Sequence, residues 1–162
     1  MKIAILNDTH CGARNSSDIF MDYQQKFYDD VFFPYLIENK IDKIIHLGDY
    51  YEHRKYVNFK ALEHNRRIFL DKLREYGIRM HIIPGNHDVY YKNTNEVNSI
   101  QSLLREYDNI VPISSPGEYE VAGLKTFMIP WISPENREET LEKISKTKAK
   151  AAFGHLELKD RK

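Results

Sequence analysis

The sequence predicts an α/β fold with a mostly parallel sheet. Short apolar runs that end in polar residues recur along the chain, and they alternate with longer segments whose apolar residues have helical spacing. This alternation is typical of βαβ units, whose parallel strands are joined by right-handed crossovers. A chain of 162 residues with 41% apolar and 30% charged residues has the size and composition of one folded domain.

Four runs are predicted to be β-strands. They lie at residues 2–7, 43–48 and 79–84, with a weaker run at 151–154. The runs are apolar over most of their length, which favours strands that are buried on both faces. The expected architecture is a two-layered or sandwiched α/β sheet.

Helices are predicted between these strands. Apolar residues recur at helical spacing over 20–38 and 59–76, and Gly77 follows the second segment, where a helix stop is expected. Two shorter helices are predicted over 96–106 and 140–146. The long segments therefore supply the crossovers between the parallel strands.

One segment breaks the alternation. Residues 118–131 contain two β-rich runs on either side of Ala122 and Gly123, which is typical of a hairpin. We expect this hairpin to lie at one side of the sheet.

Charge and cysteine content exclude some classes of protein. With 24 Lys and Arg against 24 Asp and Glu, the chain has no global field to attract a polyanion, so any nucleic-acid contact must come from local clusters. No run approaches the roughly 18 apolar residues that a membrane span needs, so no membrane contact is expected. The single cysteine, Cys11, excludes an internal disulfide, and the N-terminus lacks the features of a secretory signal. The reducing cytoplasm is the expected location.

Polar side chains follow each predicted strand, at the point where the strand ends. They are Asp8, Thr9 and His10, then Gly48 and Asp49, then Gly85, Asn86, His87 and Asp88, and finally Gly154 and His155. Because the carboxyl ends of parallel strands meet at one edge of a sheet, we expect these side chains to converge. Oxygen and imidazole donors without thiolates suit Mn, Fe or Zn better than Ca. The sequence therefore predicts a metal-ion enzyme.

The donor set fits two ions and phosphate chemistry. Two ions about 3.5–4 Å apart would activate water, polarise a phosphoryl oxygen and stabilise both the attacking and the leaving oxygens. Asp49 is the carboxylate best suited to bridge them. Gly48 and Gly85 would let the backbone turn tightly and approach a phosphate. The most specific signal is Gly-Asn-His-Asp at 85–88, which occurs by chance in about one in a thousand chains of this length.

Other candidate residues are expected to be structural. His46 and His81 lie inside predicted strands, where a core or sheet-face position is typical, and His64 lies on the surface of a predicted helix. Cys11 is expected to be a bystander beside the site.

These motifs resemble those of the calcineurin-like metallophosphoesterases, in which D-x-H, GD, GNH[DE], a single H and GHxH follow one another. Four of the five occur in order across residues 8–155, and GHxH is absent. Within this superfamily the sequence is most similar to SbcD-type DNA-repair nucleases, including phage recombination endonuclease subunits. The similarity lies in residues 48–55 and 84–93, and in 129–131 followed by 154–158.

The resemblance implies a ligand set and a catalytic residue. Two divalent ions are implied, with Mn²⁺ preferred and Mg²⁺ as the alternative. The implied roles are Asp8 and His10 on the first metal, Asp49 as the bridge, Asn86 and His155 on the second metal, and His87 beside the phosphate as a transition-state stabiliser or general acid.

The chain departs from the family pattern in two places. Cellular relatives often have a His three residues after the bridging Asp, where this chain has Glu52 followed by His53, so these two are candidate accessory residues. The chain ends at Lys162, seven residues after His155. The resemblance therefore covers the N-terminal half to two-thirds of the nuclease domain. Residues 1–162 are expected to form a single domain that lacks the C-terminal strands, the DNA-capping domain and the ATPase-binding region.

The resemblance also implies partners. Arg54, Lys55, Tyr90 and Tyr91 lie next to the motifs and could clamp a phosphate backbone and stack on bases. DNA, an SbcC-like ATPase subunit and a homodimer in the full-length protein are implied, as is the host cytoplasm if the protein is phage-encoded.

The expected function is that of a two-metal-dependent DNA exonuclease or endonuclease subunit, which works with an SbcC-like ATPase in repair or recombination. One alternative is a phosphoesterase for small substrates such as cyclic nucleotides or phosphomonoesters, for which a closed apolar pocket is expected instead of an open basic groove. Another is a non-catalytic fragment that cannot complete its metal centre. From residues 1–162 alone, weak metal binding and weak or no nuclease activity are expected.

Overall fold

Four strands form a parallel sheet in the structure, a computed structural model that describes residues 2–157. Their order in the sheet follows their order in the chain. They are β1 (Ala4–Leu6), β2 (Lys43–His46), β3 (Arg79–Ile82) and β4 (Ile110–Pro112). Leu6 pairs in register with His46, and His46 with Ile82, so three strands end side by side. The loops that follow them therefore begin at one edge of the sheet.

A second sheet has three strands. They are β5 (Gly117–Val121), β6 (Leu124–Ile129) and β7 (Ala151–Gly154). β5 and β6 form the expected antiparallel hairpin, and β7 pairs parallel to β6. The hairpin was expected at one side of the parallel sheet, but it belongs to a separate sheet. The same holds for the strand at 151–154, whose partner is β6.

The two sheets pack against each other through an apolar core. Ile45 and Ile83, from the first sheet and the loop after it, lie in one buried cluster with Val121 and Met128 of the second sheet. This contact confirms the sandwiched α/β architecture. It also brings the end of β7 towards the ends of β1, β2 and β3.

Two long helices cover the other face of the parallel sheet. The first, α1, consists of Asp18–Phe27, a π-helical turn at Tyr28–Phe32, and Phe33–Glu38. The second, α2, consists of Phe59–Asn65, a π-helical turn at Arg66–Leu70, and Asp71–Glu75. The π-helical turns meet in the core, where the rings of Tyr28 and Phe69 lie 4.8 Å apart. Both helices are confirmed, whereas no sequence pattern indicated the π-helical turns.

Some elements differ from the sequence prediction in their bounds, pairing or burial. Helix α3 (Ser99–Leu104) is shorter than expected, and α4 (Arg137–Lys146) begins earlier than expected. Strand β4 was not predicted, because three residues are too few to show a period. The expectation that the first strand is buried on both faces was wrong, since Ile5 is 51% exposed. No element among residues 2–157 covers that side chain.

Apolar side chains also remain exposed along the outer face of α1. They are spaced by four residues: Ile19, Tyr23, Phe27, Val31 and Tyr35. Contiguous exposed apolar surface of this kind is typical of a contact face. Among the described residues, no helix has both the length and the apolar character needed to cross a bilayer.

Candidate metal centre

The first two motif loops are joined by backbone hydrogen bonds. Asp8 N donates to Gly48 O (3.1 Å), and His10 N donates to Asp49 O (3.0 Å). These bonds continue the pairing of β1 and β2 beyond the strand ends. They place the Asp-x-His loop directly against the Gly-Asp loop.

Three predicted ligands have left-handed backbone conformations. The φ angles are 53° at Asp8, 42° at His10 and 50° at Asp49. Non-glycine residues adopt positive φ rarely, and the cost is of order 1–3 kcal/mol for each residue. Such conformations persist only where surrounding contacts hold them, and they cluster at functional sites.

A first group of donors lies at the ends of β1 and β2. His10 Nε2 is 3.7 Å from Asp8 Oδ1 and 3.8 Å from Asp49 Oδ2. With metal–ligand bonds of about 2.0–2.2 Å, neighbouring donors around one ion lie about 3–4 Å apart. The three side chains therefore have the spacing of a metal site, and they form one donor cluster.

A second group lies beside the first and includes a residue from the other sheet. His155 Nε2 is 2.9 Å from Asn86 Oδ1 and 3.6 Å from Asp49 Oδ2. The same oxygen of Asp49 thus belongs to both groups. This arrangement suits a carboxylate that bridges two ions.

The His155 ring is oriented so that Nε2 faces the second group. Its Nδ1 lies 2.9 Å from the carbonyl oxygen of Leu47 and must carry a proton to bond there. In the neutral ring, Nε2 then has a lone pair, and this lone pair faces the Asn86 oxygen, which is also an acceptor. In that tautomer both atoms could donate electron pairs to one metal ion. A backbone carbonyl that fixes the tautomer is typical of metal-binding histidines.

Glycines make the close approach of the loops possible. A Cβ atom on Gly85 would overlap Asp49 Oδ1, and a Cβ on Gly48, where φ is +97°, would overlap the backbone of Gly85. Because Gly85 has no Cβ, Asp49 Oδ1 can lie close to this residue and accept a hydrogen bond from His87 N at 2.8 Å. This bond turns the other oxygen, Oδ2, to the two donor groups.

His87 lies beside both groups. Its Nδ1 is 2.7 Å from the carbonyl oxygen of Glu52, and its ring meets the His10 ring edge-on with centroids 5.0 Å apart. No contact shorter than 4 Å joins its ring to Asp8, Asp49 or Asn86 among the described contacts. The ring is thus placed next to the donors with its tautomer set by the Glu52 carbonyl.

The candidate accessory residues have different surroundings. Glu52 Oε2 lies 2.9 Å from His10 Nδ1, at ion-pair distance, although the ring N–H does not point at the oxygen. Glu52 also forms a second donor cluster with His10 and His87. His53 instead stacks on Tyr56, with ring centroids 4.6 Å apart. The structure therefore brings Glu52 into the site and directs His53 to the neighbouring surface.

Cationic and aromatic side chains extend from Glu52 along the surface. The Arg54 guanidinium lies over the ring of Trp131 at 5.6 Å, and Lys55 Nζ lies over the ring of Tyr90 at 5.5 Å. Tyr90 and Tyr91 meet edge-on at 4.7 Å. The four candidate DNA-contact residues thus form one mixed cluster adjoining the donors.

Cys11 takes no part in this chemistry. Its side chain is buried, and burial raises the pKa of the thiol to about 12. The protonated thiol is not a metal ligand, in agreement with a donor set of carboxylate, amide and imidazole groups.

Asp88, the last residue of the Gly-Asn-His-Asp motif, connects two motif loops. Its buried carboxylate accepts hydrogen bonds from Gly85 N (2.9 Å), Tyr50 N and Tyr51 N (both 3.1 Å), and Ser99 Oγ (3.3 Å). Burial raises the pKa of Asp88, whereas the three backbone N–H groups favour its charged form. Asp88 therefore ties the second motif loop to the third.

His46 has contacts that the sequence did not reveal. It is 0% exposed, and burial lowers the pKa of its ring to about 3. Its two nitrogens contact Gly48 N and Thr9 Oγ1. In the sequence, these contacts could have been inferred only from the place of His46 at the end of a predicted strand, two residues before the Gly-Asp motif.

Parallel strands that carry Asp-x-His, Gly-Asp and Gly-Asn-His-Asp at their ends, opposed by a histidine from a second sheet, define a metal-dependent phosphoesterase site. The family comparison agrees. Residues 1–161 match the calcineurin-like phosphoesterase family, and the chain belongs to that family.

Two relatives are similar over most of the chain. Exonuclease subunit 1 of Enterobacteria phage T4 is 34% identical over 158 residues, which are 98% of this chain and 46% of the relative. The DNA double-strand break repair protein Mre11 of Sulfurisphaera tokodaii is 28% identical over 152 residues, which are 88% of this chain and 37% of the relative. The chain thus spans less than half the length of either relative.

Proposed function

We propose that this chain carries the metal-binding part of a DNA nuclease that hydrolyses phosphodiester bonds with two divalent ions. The observation that carries the proposal is the position of Asp49 Oδ2, which lies within 3.8 Å of His10 Nε2 and 3.6 Å of His155 Nε2. The names of the two relatives, an exonuclease subunit and a DNA repair protein, support DNA as the substrate.

The residues divide into two ligand sets that share one member. Asp8, His10 and Asp49 would hold the first ion, and Asp49, Asn86 and His155 would hold the second. When bound, two such ions supply activation of water and neutralisation of charge on the phosphate. Carboxylate and imidazole donors suit Mn²⁺, and Mg²⁺ is the alternative.

His87 acts on the phosphate in this proposal. Since its Nδ1 donates to the Glu52 carbonyl, Nε2 can donate only when the ring is an imidazolium. In that form it can deliver a proton to the leaving oxygen or stabilise charge that develops on the phosphate.

The surface around the donors supports a polymeric substrate. The Asp8 side chain is 47% exposed, so the site opens directly to solvent. Arg54 and Lys55 adjoin it and provide the local positive charge that a chain of zero net charge needs to bind a polyanion. Tyr90 and Tyr91 offer exposed rings on which bases can stack.

We also infer that the protein acts with other subunits. The phage relative is itself named a subunit, and the resemblance implies an SbcC-like ATPase and a homodimer. A groove of about 310 Å³ adjoins the candidate DNA-contact residues and is lined by Arg54, Lys55 and Tyr90 as well as by the apolar side chains of Phe59, Leu62, Val97 and Leu103. The apolar part supports the homodimer, because Phe59 is 87% exposed. A Phe59→Glu variant is expected to be monomeric in sedimentation equilibrium at concentrations where the wild-type chain associates.

The test of the nuclease proposal is hydrolysis of labelled single-stranded and double-stranded oligonucleotides. Each proposed ion has three protein donors, so slow turnover is expected, and the protein is used in excess over DNA. We expect EDTA to abolish cleavage and Mn²⁺ to restore it better than Mg²⁺. Cleavage that continues in excess EDTA would contradict the metal centre.

Two further measurements address the alternatives. Calorimetric titration with Mn²⁺ distinguishes a metalloenzyme from a non-catalytic fragment, which is expected to bind DNA or a partner without retaining metal. Parallel assays with a cyclic nucleotide and a phosphomonoester test the small-substrate alternative. Faster hydrolysis of either than of DNA would favour that alternative.

A further inference from the structure

His46 connects the two loops that carry the first group of donors. Gly48 N donates to His46 Nδ1 at 3.2 Å, and His46 Nε2 lies 3.1 Å from Thr9 Oγ1. Thr9 stands between the ligands of the Asp-x-His motif, and Gly48 directly precedes the bridging Asp49. One buried side chain thus contacts both loops.

The hydrogen bonds define one tautomer of His46. Because Nδ1 accepts a hydrogen bond from Gly48 N, the neutral ring carries its proton on Nε2, and this N–H donates a hydrogen bond to Thr9 Oγ1. The Thr9 hydroxyl in turn donates to Tyr50 O at 3.4 Å. The bonds therefore run from the residue before Asp49, through His46 and Thr9, to the residue after Asp49.

The position does not require a histidine for packing. The register partners of His46 on the two neighbouring strands are Leu6 and Ile82, which are aliphatic. A leucine could also pack at this position, and it would avoid the free-energy cost of burying a polar ring. The imidazole is therefore explained by the two bonds that it makes.

The loops need such support because their backbone is strained. Asp8, His10 and Asp49 all have positive φ, and conformations of this kind relax unless neighbouring contacts hold them. Gln24 adds a second contact on the same loop, since its side-chain amide donates to Thr9 O at 2.6 Å.

We propose that His46 is a positioning residue of the metal centre: through Thr9 and Gly48 it fixes the separation between the Asp8–His10 pair and Asp49. It touches neither metal nor substrate. Its effect is on the affinity of the first ion, and the proposal rests on the metal centre proposed above.

The experiment compares Mn²⁺ affinity, measured by calorimetry, in variants of the full chain. His46→Leu removes both bonds, and Thr9→Val removes the hydroxyl with little change in volume. Each is expected to weaken Mn²⁺ binding about tenfold, the lower end of the effects measured for residues that orient ligands. The double variant is expected to bind about as weakly as either single variant, because both remove the same bond.

Two more variants separate positioning from general stability. His46→Gln retains a donor that can reach Thr9 and is expected to recover part of the affinity. His81→Leu is the matched control, since His81 is a buried histidine of the next strand whose Nδ1 has no hydrogen-bond partner among residues 2–157. It is expected to leave Mn²⁺ affinity unchanged even where urea unfolding shows a change in stability.

The outcomes are distinct. Wild-type affinity within twofold in both His46→Leu and Thr9→Val would overturn the positioning role and leave the metal centre intact. If His46→Leu does not fold, the Thr9→Val result decides the question alone. A wild-type chain that binds no Mn²⁺ would overturn the metal centre itself and the positioning role with it.

Discussion

The two halves of the proposed metal centre are held in different ways. Asn86 and His155 meet across the two sheets, the His155 ring is fixed by the Leu47 carbonyl at 2.9 Å, and its side chain is only 14% exposed. Asp8 and His10 lie on a strained loop, with side chains that are 47% and 27% exposed. The second half is therefore preorganised, whereas the first half depends on loop contacts.

This difference predicts an order of filling. A site whose donors are already fixed loses little conformational freedom when an ion binds, so the second position is expected to bind first and more tightly. The first position is more open to solvent and is expected to exchange its ion more easily. In the proposed assignment, Asp49 belongs to both positions and His87 belongs to neither.

The largest effect is expected from Asp49→Ala. Both positions lose a ligand, and the mutual repulsion of the two ions is no longer compensated. We expect loss of both calorimetric binding events and the lowest turnover of any single variant. Asp42→Ala, which removes an exposed carboxylate at the other end of β2, is the control. Retention of more than a tenth of wild-type turnover, about 1.4 kcal/mol of barrier, would contradict the shared role.

His87→Ala is expected to separate binding from turnover. Removal of a general acid or charge-stabilising group lowers rates by roughly 10²–10⁴. Since the ring lies outside both donor groups, Mn²⁺ and DNA affinities are expected to remain at wild-type values. Calorimetry on this variant checks the assignment, and a lost Mn²⁺ binding event would make His87 a ligand instead.

A pair of histidine variants compares the two halves directly. His155→Ala is expected to remove the tighter Mn²⁺ binding event and to weaken the other, because an empty second position also frees Asp49 to move. His10→Ala is expected to remove the weaker event alone. Titrations followed by Mn²⁺ electron paramagnetic resonance distinguish the tighter binding event from the weaker one. The reverse order of losses would show that the open half is the tighter one.

The last prediction concerns the pH dependence of the folding stability that His46 contributes. Its pKa is about 3 in the folded protein and about 6.5 in an unfolded chain. The unfolded state therefore binds more protons between these values. Relative to His46→Leu, the wild-type chain should lose stability as pH falls below 6.5, by up to about 1.4 kcal/mol per pH unit until near pH 3. Urea midpoints at pH 7, 6, 5 and 4 provide the measurement, and parallel curves would refute it.

Much of the site could be predicted because parallel strands end at one edge. The convergence of Asp8, Asp49 and Asn86 follows from the topology alone, since their strands are neighbours in register. The origin of His155 in a second sheet could not be predicted in this way, because a four-residue apolar run does not show which strand it pairs with. That sheet membership makes the second half of the site an inter-sheet contact.

Sequence patterns do not predict the contacts of the residues that hold the motif loops together. His46 was expected to be an ordinary core or sheet-face residue, and its burial confirms that part of the prediction. Its bonds to Thr9 and Gly48 depend on the distance between two loops, which no periodicity encodes. The same holds for Asp88, since two of its partners, Tyr50 N and Tyr51 N, come from a loop nearly 40 residues earlier in the chain.

The paired π-helical turns place a limit on how the chain can change in length. A π-helical turn holds one residue more than an α-helical turn, and each α-helical residue turns the helix by about 100°. Deleting one residue from Tyr28–Phe32 would rotate the two ends of α1 against each other, so Met21 and Leu36, both buried, could not face the core together. Because Arg66–Leu70 packs against the same point, it is subject to the same limit. Insertions and deletions among related sequences should therefore fall in the loops and avoid these two turns.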